Sequence, residues 1–247
     1  LNMKLNIDMT LSTPAKPRIR TPAPPRKRSP GRPSGKRTPA DAAAVRMQLL
    51  DAAIACFVRK GIAATSLREI AAEAHVTPAL LHYYFGDKAQ LQAAVVDEKL
   101  LPALAQLREP LEQAGGDVAA LVAGFVAGIG RIAIAHPWLP PLWVREVLCE
   151  GGALRDVLFE HVGPAIPRMM ATRFAAAQAD GGLNPDLDPR LLMVSLVGLT
   201  LFPIAGAPVW RRLFAADPSA GAEPSLDFET LRRHTLALLD RGLELKA

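Results

Sequence analysis

The sequence predicts an all-α fold, and three observations carry that expectation. Half of the 247 residues are apolar while aromatics reach only 5%. Ala and Leu are abundant and Thr, Tyr and Ile are sparse, so helix formers far outnumber strand formers. From Asp41 onward, apolar residues recur every three to four positions, the spacing of one helix face. An apolar half supports a packed core and excludes global disorder. The length accommodates two domains within one body.

Residues 1–40 stand apart. They hold ten basic residues against the single Asp8, a net of +9 in a chain whose total is +5, so the remainder carries −4. Pro14, Pro17, Pro22, Pro24, Pro25, Pro30, Pro33 and Pro39 exclude helix and sheet, and little apolar surface is available to bury. The segment is expected to be a disordered basic arm. It reads either as a solubilising linker or as a DNA-tracking arm whose cations displace counterions from phosphates. Within it, residues 26–33 (Arg26-Lys27-Arg28-Ser29-Pro30-Gly31-Arg32-Pro33) resemble a degenerate AT-hook in which Pro30 replaces the first core arginine. That likeness implies Arg32 as a contact in a narrow, A·T-rich minor groove. The opening LNMKLNIDMT has no continuous apolar run or cleavage site, so no secretory leader is expected. Met3 and Met9 are the candidate translation starts.

A first helix is predicted over 41–60, from Val45, Leu49, Ala53 and Phe57 at four-residue spacing. Gly61 supplies its C-cap, and Arg59 and Lys60 suit the negative end of the dipole. Ser66-Leu67-Arg68-Glu69 fits a capping box, with Thr65 as an alternative cap, and opens a short second helix ending near Ala74. Thr77 as N-cap and Pro78 at the first helical position begin a third helix over 78–84. It would bury Leu81 together with Tyr84 or Phe85. Asp87 caps a fourth helix from Lys88. Two short helices joined by so tight a turn form a helix-turn-helix, although spacing alone also fits a generic helical hairpin.

The residues themselves resemble a known family. Thr65-Ser66-Leu67-Arg68-Glu69-Ile70-Ala71, and then the run from Ala74 through His75, Val76, Thr77, Pro78, Tyr83, Tyr84 and Phe85 to Lys88, resemble the DNA-binding domain of tetracycline-repressor-like (TetR) regulators over roughly 45–95. Two positions depart from the pattern. His75 stands where the family has Gly, implying a left-handed turn residue, and His82 stands where Tyr is common. The resemblance implies that the third helix enters the major groove, with Thr77, Pro78, Ala79, Leu80 and His82 facing base edges. Thr65, Ser66, Tyr83, Lys88 and the start of the second helix would meet phosphates. Residues 41–90 are neutral overall, so the arm is expected to supply much of the affinity for DNA.

Further helices are predicted near 88–108 (bent at Pro102), 117–135, 140–149, 153–161, 164–180, 188–206 and 226–244. Gly pairs, His136-Pro137 and the 215–225 stretch separate them. The domain organisation is therefore an arm (1–40), a helix-turn-helix domain (41–90) and a helical domain (91–247). Residues 191–210 contain no charge and read as either a membrane span broken by Pro203 and Pro208 or a helix buried between subunits. The resemblance favours the second: a homodimer through helices 188–206 and 226–244, the latter striped with Phe228, Leu231, Thr235, Leu238 and Leu239.

The resemblance also implies a small, apolar ligand held among the middle helices, with Phe125, Ile129, Trp138, Trp143, Glu146, Phe159, Met169, Met170 and Phe174 as candidate contacts. No catalytic motif is present, and the histidines at 75, 82, 136, 161 and 234 have no ligand spacing. No enzyme activity, cofactor or metal is expected. Cys56 and Cys149 are too far apart in sequence for a redox or zinc pair and suit a reducing, cytoplasmic compartment. The function expected is that of a ligand-released repressor acting as a homodimer on a palindromic operator. The alternative is an architectural binder of A·T-rich DNA led by the arm.

Overall fold

A computed structural model describes residues 39–214 and 227–243, and every regular element among them is helical. The arm up to residue 38, including Arg32 and the AT-hook-like segment, lies outside the described residues, as do 215–226. Residues from Pro39 onward form one unit. Helix α1 (Pro39–Lys60) buries Leu49, Leu50, Ala53, Ile54 and Phe57 on the predicted face and ends at Gly61, whose N–H reaches the Phe57 carbonyl. Helix α2 (Leu67–Glu73) starts with the full capping box: the Ser66 hydroxyl accepts from the Glu69 N–H, and the Glu69 carboxylate from the Ser66 N–H. His75 turns the chain with φ 54°. Helix α3 (Pro78–Phe85) has Thr77 as its cap, and Asp87 caps α4 (Lys88–Val95).

The expected bent helix 88–108 divides in three. Helix α4 runs through a π turn, Val96–Leu100, into α5 (Leu101–Ala105), which carries Pro102 in its first turn, where the missing N–H is harmless. A separate short helix follows, α6 (Arg108–Gln113). Helix α7 (Val118–Ala135) is capped by Asp117. Helix α8 (Leu139–Trp143) continues as a π turn, Val144–Leu148, and α9 (Arg155–Val157) as another, Leu158–Val162. Then come α10 (Ala165–Ala179), α11 (Pro189–Ala205), α12 (Ala207–Phe214) and α13 (Phe228–Leu243). Of these, α12 was not expected.

Helix α11 lies at the centre of the larger domain, against α7, α8, α10 and α13. Pro203, read as a break in the uncharged 191–210 run, lies inside the helix expected over 188–206. The helix passes through Pro203 and turns by 66° only at the Gly206 junction with α12. A proline at 203 leaves the Leu199 carbonyl without its helical donor. The buried Thr235 hydroxyl of α13 donates to that carbonyl at 3.4 Å, so the neighbouring helix supplies the lost bond. Close packing also depends on Gly130 of α7, where a Cβ would lie 1.5 Å from the Phe228 ring of α13. By length and composition α7 could span a membrane, with mean hydropathy 2.1. It nevertheless buries Leu121, Phe125, Val126 and Ile132 in the protein core.

Candidate nucleic-acid interface and sensor cavity

The exposed face of the head is the start of α3. Leu81 and Phe85 anchor this helix in the core, while Thr77, Pro78, Ala79, His82 and Tyr83 face outward and Leu80 is half-buried. Tyr83 is 82% exposed, which fits a contact and excludes a core role. The Thr77 hydroxyl accepts from the Leu80 N–H at 3.3 Å and keeps its own proton to donate. His82 Nδ1 donates to the Gly86 carbonyl, so in the neutral ring Nε2 is an acceptor. Ser66 is exposed at the start of α2. Thr65 corrects the expectation: it is 2% exposed, and its hydroxyl donates inward to the Gly61 carbonyl at 2.7 Å. Facing the core, it cannot reach a phosphate. Lys88 donates to the Ala63 carbonyl at 2.9 Å.

The neutrality of the head has a structural form. Arg46 pairs with Glu98, Arg59 with Glu73, and Lys60 with Glu69. The Lys60 ammonium, helped by the Ser66 N–H and hydroxyl, holds the Glu69 carboxyl down at about 2. Arg46 also lies 4.5 Å from the centre of the Phe85 ring and donates to the Tyr84 carbonyl, bracing the end of α3. Arg68 on α2 is exposed and makes no ion pair among the described residues. It escaped the sequence reading, although its place in the first turn after the Ser66 cap was a usable signal.

A cavity of about 710 Å³ lies within the larger domain. Phe125, Ile129, Trp143 and Met169 line it, joined by Met193 and Val197 of α11, which were not anticipated. Arg108, Glu112, His161 and Arg173 are the polar groups of an otherwise apolar lining. The Trp143 indole N–H is buried without a hydrogen-bond partner among the described residues. The other candidates lie elsewhere. Met170 and Phe174 are fully buried in the core, and Trp138 stacks edge-on with His136. Phe159, in the π turn after α9, is 67% exposed and faces outward. Glu146 is buried with both carboxylate oxygens bonded to backbone N–H groups, so it is not a cavity contact.

The sequence model for bacterial regulatory proteins of the tetR family matches residues 49–95, which hold the end of α1, the whole α2–turn–α3 unit and α4. Residues 49–95 thus form a tetR-type DNA-binding head. It is 39% identical over 61 residues to the HTH-type transcriptional repressor SCO4008 of Streptomyces coelicolor, covering 25% of this chain and 32% of that protein. It is 25% identical over 162 residues to the HTH-type transcriptional regulator UidR of Escherichia coli, covering 65% of this chain and 80% of that one. The chain thus spans about a third of the first relative's length and four fifths of the second's. Among solved structures, the ketosteroid transcriptional regulator KstR2 of Mycobacterium tuberculosis shares the fold, with a TM-score of 0.63 at 18% identity over 81% of this chain and 95% of that one. The chain therefore joins a tetR-type DNA-binding head to a helical C-terminal part, in a fold shared with solved transcriptional regulators.

Proposed function

We propose that the chain is a TetR-family regulator, a ligand-released repressor acting as a homodimer on a palindromic operator. The observation that carries the reading is the outward-facing start of α3, anchored by Leu81 and Phe85 and offering Thr77, Ala79, His82 and Tyr83 to a major groove. The Thr77 hydroxyl is a donor, and the neutral His82 Nε2 is an acceptor suited to the amino group of adenine or cytosine. Pro78, Ala79 and Leu80 offer apolar contact to thymine methyls. Ser66, Tyr83, Lys88 and Arg68 are the phosphate contacts, and Arg32 is a minor-groove contact from the arm.

Two further features support control and assembly. The apolar cavity suits a small hydrophobic ligand held by Phe125, Ile129, Trp143 and Met169. Leu191, Val194 and Phe202 of α11 and Leu238 of α13 are exposed apolar side chains that a second copy would cover. The ligand acts by favouring a conformer whose heads are wrongly spaced for the operator. The protein works in the cytoplasm, off the membrane, without catalysis or cofactor.

Selection of bound sequences from random duplex DNA tests this. One palindromic motif is expected, with half-sites about one helical turn apart. Enrichment of A·T-rich DNA without a palindrome would support the architectural reading, which the net +9 of residues 1–40 favours. Deleting residues 1–37 is expected to flatten the salt dependence of binding.

A further inference from the structure

Glu146 is 4% exposed and has no ion pair among the described residues. Its Oε2 accepts from the Ala153 N–H at 3.0 Å, closing the turn after its own helix. Its Oε1 reaches 84 residues away, accepting at 2.9 Å from the N–H of Ile62 in the head. Gly152 lets the turn close tightly, since a Cβ there would fall 2.3 Å from the Glu146 carbonyl oxygen. The Ala153 carbonyl in turn accepts from Gln92 of α4 at 3.3 Å, and Lys88 of the same helix donates to Ala63. The turn at 61–63, which links α1 to α2, is therefore held on two sides. Helix α4 holds the Ala63 carbonyl, and the α8 run holds the Ile62 N–H.

That run also walls the cavity, through Leu139 and Trp143, and Trp143 lies one helical turn before Glu146. A carboxylate serving only its own turn would need one oxygen. The second oxygen makes a directional bond to the head, and a shift of about an ångström takes such a bond out of range. Burial makes the alternative, an unpaired anion and an unpaired N–H, costly, so the bond has two distinct states rather than a gradual loosening.

We infer that Glu146 is the joint through which occupancy of the cavity reaches the DNA-reading head. An occupant that pushes on Trp143 moves the α8 run and withdraws Oε1 from Ile62. The head then pivots at the 61–63 turn while Lys88 keeps it tied to α4. The inference rests on the ligand-released reading above.

The test is a double-mutant cycle on affinity for the operator obtained by selection. Val197→Trp fills the cavity and stands in for an occupant, and Glu146→Met removes both acceptors. V197W is expected to weaken operator binding by about tenfold in the parent and by less than about threefold alongside E146M. It should also speed amide exchange at Ile62. If V197W leaves the parent's operator affinity unchanged, ligand release fails and the joint falls with it. If V197W weakens both backgrounds equally, ligand release stands and the joint alone is overturned. Should E146M not fold, Glu146→Ala, which also removes both acceptors, decides in the same cycle: the V197W effect must shrink at least threefold, and an undiminished effect overturns the joint.

Discussion

At the scale of residues, His75 is the clearest strain in the head. It holds φ 54°, the only non-glycine positive φ among the described residues, and its side chain is exposed. His75→Gly is expected to stabilise the protein by about 1 kcal/mol, read as a raised melting temperature in calorimetry. Glu69 gives a pH-dependent counterpart. Its carboxyl sits at about 2 against an ordinary value of 4.5, so its contribution to stability is full above about 4.5 and fades as pH falls toward 2. Urea midpoints should separate parent from E69Q at pH 7 and converge near pH 2. The caps at Ser66, Thr77 and Asp87 were legible in sequence because capping is local chemistry, satisfied within three residues. Thr65 was misread because two adjacent hydroxyls look alike until burial separates them. Glu146 was misassigned because the Ile62 N–H it serves is remote in sequence.

At the scale of elements, periodicity located most of the helices, but tertiary contacts set their internal breaks. The π turns at Val96–Leu100, Val144–Leu148 and Leu158–Val162 leave no mark on a spacing of three to four residues. Pro203 reads as a helix breaker, and only α13 explains why it is not one. Thr235→Val should therefore cost about 1 kcal/mol, since it leaves the Leu199 carbonyl without a donor. The same substitution should be nearly neutral beside Pro203→Ala, whose N–H restores the helical bond. Denaturant unfolding of the four proteins measures this, and equal costs in both backgrounds would remove Thr235 from that role. Only part of the cavity wall was legible, because a side chain facing a void and one facing a neighbour have the same pattern. Met169 lines the cavity while Met170 sits in the solid core.

At the scale of the whole molecule, assembly is the property that organises the proposed function. Leu191 and Phe202 are 64% and 70% exposed on α11, an apolar face of the kind that a twofold partner covers. Leu191→Asp combined with Phe202→Asp is expected to give monomers in sedimentation velocity and to weaken operator binding by about a hundredfold through loss of the linked half-site. A variant that sedimented as the parent does would move the interface off this face. The pairing of Arg46, Arg59 and Lys60 with Glu98, Glu73 and Glu69 has a further consequence, for how such a regulator finds its target. Attraction to arbitrary DNA grows with the number of cations free to displace counterions, and these three are already engaged. A head built this way leaves wrong sites quickly. Lingering on arbitrary DNA then falls to the ten cations of the arm, while the head distinguishes sites by how long it stays.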